Sequence, residues 1–285
     1  VEKRNVDIFV EKVNGFTCFD LPVFQDSQTV KCPFFSANLR QITMTKKIIS
    51  LLNTPRTKLA VLIDPDNQTE ASLHLLSEQI SNCRVDIVLV GGSLLLDNHF
   101  ERTISLLRKN TDVPVVIFPG NNYQVSAQAD AILLLSLISG RNPEYLIGQH
   151  VIAAPMVRES GLEVIPTGYM LIDGGRVSTT SYMTQTVPIP YDKPDIAVAT
   201  AMAGEMLGLR TIYLEAGSGA HRSISTEMLQ AVSRSVSIPI ITGGGIRTAE
   251  QAEALAAAGS SMIVIGNILE KQPELLMEIS LAVHS

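Results

Sequence analysis

Three glycine-rich turns follow apolar runs toward the C-terminus: Ala216-Gly-Ser-Gly219, Gly243-Gly-Gly245 and Gly266-Asn267. Glycine lets a backbone approach an anion closely and present its N–H groups to it. Tight-turn geometry alone would explain any one of them. Three in phase, with Arg247-Thr248 and a helical pattern following the second, point to a phosphate site.

Carboxylates at the ends of apolar runs are the second signal. Asp64 closes residues 59–63 and Glu215 closes 211–214. Asp64 before Pro65 also suits an Asx turn, and Glu215 a helix cap or surface pair. On one face of one domain the two could instead supply a cation ligand and a general base.

The elements that must position these residues alternate between strand and helix. Apolar runs at 59–63, 85–90, 113–118, 131–135, 163–165, 211–215, 238–241 and 261–265 predict eight strands. They are nearly all-apolar rather than alternating, as expected of parallel strands covered by helices. Helical spacing appears at Leu73, Leu76 and Ile80, at Phe100, Ile104 and Leu107, over 196–207, around Met228 and Val232, over 249–257, and from Glu274. Only a short connection separates 113–118 from 131–135, and a polar, glycine-rich segment runs from Tyr169 to Pro194. The expected fold is a (β/α)8 barrel of the TIM type, with allowance for an irregular replacement of one helix. A doubly wound sheet is the alternative, and the glycines after the last strands favour the barrel.

The expected domain is 44–285. Residues 1–43 lack a clean period and begin with Val, whereas Met44 opens the patterned region. They read as an extension of no assigned function or, preferably, as translated sequence upstream of the natural start. With 22 basic and 28 acidic residues the net charge is −6, which argues against a nucleic-acid surface. No apolar stretch approaches the roughly 20 residues of a membrane span, so membrane contact is expected to be peripheral at most. Cys18, Cys32 and Cys83 have neither zinc spacing nor scaffold density, which favours a reducing cytoplasm.

Tyr213-Leu-Glu-Ala-Gly-Ser-Gly219, with Leu62-Ile-Asp-Pro-Asp66, Gly91-Gly-Ser93, Thr242-Gly-Gly-Gly-Ile-Arg247 and Gly266-Asn267, resembles the geranylgeranylglyceryl phosphate synthase family, including its bacterial heptaprenylglyceryl relatives. The likeness covers about 57–279, and the Tyr-x-Glu-Ala-Gly-Ser-Gly run discriminates best. It implies transfer of a prenyl group, geranylgeranyl in this branch, from its diphosphate to the sn-3 hydroxyl of sn-glycerol 1-phosphate. It also implies Mg2+ at Asp64 and Ser93. Tyr213, Leu214, Glu215, Ala216, Gly217, Ser218, Gly219, Gly244, Gly245, Gly266 and Asn267 match the glycerol-phosphate positions. Glu215, taken as an exposed carboxylate in a cleft, would accept the hydroxyl proton, and Tyr169 would help to hold the glycerol. Relatives form dimers or larger rings, so a homo-oligomer is expected.

Leu62 departs from the pattern, because heptaprenyl-type relatives carry Lys there. Arg247 or Arg222 could compensate, although each also reads as a solvated loop charge. His221 reads as a surface residue, and Met202 and Met206 as packing rather than a prenyl groove. The competing readings are a sugar-phosphate isomerase, a flavin oxidoreductase, and a catalytically silent barrel that binds a phosphometabolite.

Overall fold

Eight parallel strands close into a barrel in chain order: β1 (Lys58–Ile63), β2 (Ile87–Val90), β3 (Val115–Ile117), β4 (Ala131–Leu137), β5 (Glu163–Leu171), β6 (Thr211–Glu215), β7 (Ile240–Gly243) and β8 (Met262–Ile265). β8 pairs with β1 from Lys58↔Met262 to Val61↔Ile265, which completes the ring. The computed structural model describes residues 47–285 apart from 96 and 98. The expectation for 1–43 lies outside the described residues.

Both faces of each strand are apolar because both are covered. On β1, Ala60 and Leu62 face the barrel interior, whereas Leu59, Val61 and Ile63 face the helices. Those helices are α2 (Glu70–Asn82), α3 (Phe100–Asn110), α4 (Gln149–Ser160), α6 (Pro194–Met206), α7 (Thr226–Ser233), α8 (Ala249–Ala257) and, after the single turn α9 (Ile268–Lys271), α10 (Leu275–Val283). Thr69 caps α2 through a reciprocal bond with Ser72, and Ser225 and Thr248 cap α7 and α8. α1 (Lys47–Leu52) packs Ile48, Ile49 and Leu52 into the interior cluster. Glu163 at the start of β5 accepts from the N–H groups of Ile48 and Ile49 at 2.9 and 3.0 Å, which satisfies two orphan donors of that helix.

Three departures from the sequence reading bear on the site. β5 does not stop at Ile165 but runs through Pro166 to Leu171. Proline removes one donor without spoiling extended geometry, and the Pro166 carbonyl still accepts from Arg210 N–H at 2.8 Å. Tyr169 is therefore a strand residue, not a loop residue. The connection 118–130 contains no helix, so one helix of the barrel is replaced by irregular chain. Finally, the polar segment after β5 holds a short helix, α5 (Thr179–Thr184), capped by Ser178. Met202 and Met206, expected to pack, are instead 37% and 80% exposed on α6.

Candidate active site

The C-terminal ends of the strands surround a cleft of ≈ 550 Å³, where barrels of this kind carry their chemistry. Asp64 reaches it from the end of β1, Ser93 from the turn after β2, Phe118 from the end of β3, and Tyr169 from β5. Tyr213 and Glu215 enter it from β6, and the glycine turns after β6, β7 and β8 complete the wall.

Glu215 is not the exposed carboxylate expected of a cleft residue. It is 6% exposed, and burial pushes its carboxyl from the ordinary 4.5 up to about 7. The Gly217 N–H, donating to Oε1 at 2.7 Å, and the neighbouring Tyr213 hydroxyl act in the opposite direction without overcoming burial. An apolar wall explains the desolvation. Phe118, Tyr169 and Tyr213 form a three-ring cluster with centroids 5.3–5.9 Å apart, drawn from three strand ends. Burial and the nearby Glu215 charge hold both tyrosines well above their usual range, so they stay neutral donors. The Tyr213 hydroxyl is fully buried beside Glu215 and makes no hydrogen bond of good geometry among the described residues.

Asp64 makes the turn that its place before Pro65 suggests, and it also faces the cleft. Its carboxylate accepts from Asp66 N–H at 3.2 Å, which caps the short turn Pro65–Asn67, and it lines the cleft. Burial raises its pKa, and the charge of Asp66 adds to that. Ser93 is exposed across Gly92, whose hypothetical Cβ would lie 3.2 Å from Asp64 Oδ1. No trio of His, Cys, Asp or Glu that could cage a metal exists among the described residues. The oxygen donors of one carboxylate and one hydroxyl are of the type a hard cation such as magnesium takes, with waters completing its shell.

The glycine turns form a cradle. Ser218, Gly219, Gly244, Gly245, Gly266 and Asn267 all line the cleft, and Ser218 Oγ bonds Asn267 Oδ1 at 3.1 Å. Gly244 has φ +83°, and a Cβ there would sit 2.4 Å from Glu215 Oε1 and 2.7 Å from Gly217 N. Only glycine fits. Leu214, Ala216 and Gly217 lie outside the cleft lining. Strand alternation turns Leu214 into the helix-facing core, Ala216 is buried there too, and the Gly217 N–H is already held by Glu215.

The two cations named in the sequence are placed differently. Arg222 pairs with Asp173 at 2.8 Å, stacks 3.9 Å over the Tyr191 ring, and does not line the cleft. Arg247 lines it but donates to the carbonyls of Ala220 and His221. Arg176, which sequence reasoning missed, lines the cleft beside the cradle with Nη1 3.4 Å from Gly219 O. No carboxylate pairs with it among the described residues. His221 is exposed, as expected.

A second cavity of ≈ 220 Å³ joins the cleft at Phe118, Tyr169, Thr180 and Ser93. It is an apolar groove whose walls include Ile132, Leu134, Tyr145 and Ala153, and it runs past the irregular segment after β3. The missing helical period in 119–130 was the one sequence signal for it.

The similarity of the chain to known proteins follows the same lines. It is 52% identical to a geranylgeranylglyceryl phosphate synthase from Chitinophaga pinensis, over 79% of this chain and 90% of that one. It is 50% identical to one from Spirosoma linguale, over 80% and 92%. The crystal structure of (S)-3-O-geranylgeranylglyceryl phosphate synthase from Thermoplasma acidophilum, in complex with sn-glycerol-1-phosphate, superposes with a TM-score of 0.78. That comparison covers 82% of this chain and 97% of the other at 34% identity. With residues 53–283 matching its pattern, the chain belongs to the PcrB family.

Proposed function

We propose that this protein transfers a geranylgeranyl group from its diphosphate to the sn-3 hydroxyl of sn-glycerol 1-phosphate, forming an ether and releasing diphosphate. The observation that carries this reading is the meeting of an apolar groove and a phosphate-type cleft at Phe118 and Tyr169, beside a buried carboxylate. An allylic diphosphate needs both environments at once. An isomerase or a silent phosphometabolite binder would leave the groove without a role.

The glycerol phosphate sits in the cradle of Ser218, Gly219, Gly244, Gly245, Gly266 and Asn267, with the Tyr213 and Tyr169 hydroxyls toward its glycerol. The prenyl tail lies in the groove, and its reacting carbon meets the glycerol oxygen where groove and cleft join. The allylic C–O bond breaks with its electron pair leaving on diphosphate. A lone pair of the glycerol oxygen forms the new C–O bond, and its proton passes to Glu215. Asp64 and Ser93 would hold magnesium, which when bound neutralises charge on the departing diphosphate. The aromatic wall excludes water from the reacting carbon, which would otherwise yield the free alcohol.

No helix among the described residues is long and apolar enough to cross a membrane. A homo-oligomer belongs to the same reading: Val151, Ile152 and Met156 on α4 and Met202 and Met206 on α6 are apolar and exposed. Light scattering on the purified protein tests it.

Incubating the protein with labelled sn-glycerol 1-phosphate, magnesium and a ladder of prenyl diphosphates tests the activity. An ether product that depends on all three, with the C20 donor preferred, is the expected result. Absence of ether with every donor would refute the reading.

A further inference from the structure

The groove and the cleft are joined by few side chains, and one of them touches residues assigned to both substrates. Thr180 lines both cavities. Its Oγ1 lies 2.8 Å from Ser93 Oγ, on the proposed diphosphate side. Tyr169, on the proposed glycerol side, lines the same junction of the two cavities, and the Thr180 hydroxyl draws its phenol pKa down against the larger effects of burial and the Glu215 charge.

We propose that Thr180 is a positioning residue whose hydroxyl holds Ser93 and Tyr169 together and so sets the placement of the two substrates relative to each other. This rests on the prenyl-transfer reading above.

The local structure makes Thr180 a fixed bracket. Ser178 and Ser181 cap the start of α5 reciprocally, each side-chain oxygen accepting from the other's backbone N–H at 3.1 Å. The far end of α5 is tied to the groove wall, where Asn142 Nδ2 donates to Thr184 O at 3.2 Å and the Tyr145 hydroxyl to Met183 O at 3.4 Å. The Thr180 carbonyl takes the Thr184 hydroxyl at 2.8 Å, while its own side chain points to the junction.

Proton direction gives the bracket its chemistry. A serine hydroxyl has one proton and two lone pairs. If Ser93 donates to Thr180 Oγ1, both Ser93 lone pairs are left for a cation. The Thr180 proton is then available to Tyr169 Oη, and the Tyr169 proton to the glycerol. Thr180→Val keeps the shape and removes the two links that the hydroxyl makes, to Ser93 and to Tyr169.

The test compares Thr180→Val and Thr180→Ser with the wild type. In Thr180→Val the dissociation constant for sn-glycerol 1-phosphate, measured by calorimetry without magnesium, should rise about three- to tenfold, the range of one lost hydrogen bond. The magnesium concentration for half-maximal turnover should rise by a similar factor, with an unchanged melting temperature. Thr180→Ser restores the hydroxyl and should recover both. Ser93→Ala/Thr180→Val should need no more magnesium than Ser93→Ala alone, because the two side chains act as one unit. Either parameter unchanged in Thr180→Val, a Thr180→Ser variant as impaired as Thr180→Val, or additive losses in the double variant would overturn the proposal. Ether formation by the wild type in the same experiment reports on the prenyl-transfer reading separately, and its absence would remove that reading and the bracket with it.

Discussion

The backbone N–H of Gly217 donates to Oε1 of Glu215 at 2.7 Å, two residues back in the same turn. An amide that glycine freedom makes available to a phosphate is thus committed to the carboxylate, and it fixes which oxygen remains for the substrate. With Oε1 occupied, Oε2 faces the Tyr213 side, 3.0 Å from where a Cβ on Gly243 would stand. The carboxylate is therefore aimed before any substrate arrives.

Glu215→Gln should keep the fold and lower kcat by about 10²–10⁴-fold, the usual effect of removing a general base. The amide oxygen can still accept from Gly217 N–H and from the glycerol, so KM for glycerol phosphate should move little. Steady-state kinetics and a melting curve on one preparation separate the two roles. A near-normal kcat would remove Glu215 from the mechanism.

The raised pKa of Glu215 gives two pH dependences. As a base it works only when ionised, so kcat/KM should climb with pH and level off above about 7. Stability runs the other way. The folded carboxyl ionises less readily than the unfolded one, so its contribution is full below about 4.5 and is lost as pH rises through about 7. Chemical denaturation from pH 5 to 8.5 should show Glu215→Gln gaining stability relative to wild type as pH increases. A constant difference across that range would show that Glu215 titrates normally.

Asp64→Asn should abolish magnesium-dependent transfer while leaving glycerol-phosphate affinity nearly intact. Asn keeps an acceptor for Asp66 N–H, so the turn at Pro65–Asn67 survives the change. Calorimetry with glycerol phosphate and an activity titration with magnesium check this. Equal loss of glycerol-phosphate affinity would place Asp64 on the wrong side of the site.

Much of the barrel was legible because apolar runs with glycine or Asp at their ends report strands and their C-termini locally. The positions of Asp64, Glu215, Gly244 and Gly266 followed from that. The burial of Glu215 did not, since the cleft it shares with Phe118, Tyr169 and Tyr213 is assembled from strand ends far apart in sequence. Leu214 shows a signal that was present but outweighed. Period-two alternation puts it opposite Tyr213 and Glu215, yet the contiguous motif grouped all three. Pro166 masked the upper half of β5, and α5 is too short and polar to show a helical period. Thr180 was invisible for the same reason, and the groove showed only as the absent helical period after β3.

Gly266→Ala and Gly244→Ala should behave differently although both line the cradle. A Cβ on Gly266 would meet nothing closer than Leu62 Cβ at 3.6 Å, an ordinary contact, so that variant should fold normally. It should still lose glycerol-phosphate affinity, because the added methyl occupies the approach to the backbone. At Gly244 the Cβ would strike Glu215 and the Gly217 N–H, so affinity, kcat and stability should fall together. Calorimetry and melting temperatures distinguish the two patterns. Unchanged affinity in a folded Gly266→Ala protein would place the phosphate elsewhere.

Arg176→Gln tests which cation serves the phosphate where Leu62 leaves the cleft end of β1 without a basic side chain. Arg222 is neutralised by Asp173 and stacked on Tyr191, and Arg247 is spent on two carbonyls. Among the described residues Arg176 has only the weak contact to Gly219 O, at the mouth of the cradle. A charge-assisted bond to phosphate contributes more than a neutral one, so its loss should weaken glycerol-phosphate binding about tenfold or more. Screening makes the effect salt-dependent. Wild-type affinity should therefore fall as sodium chloride is raised, and Arg176→Gln should show a shallower fall. Since Arg176 lies on the cradle side, the magnesium requirement for turnover should stay unchanged. A variant with wild-type affinity and the wild-type salt slope would leave the backbone amides as the sole phosphate ligands.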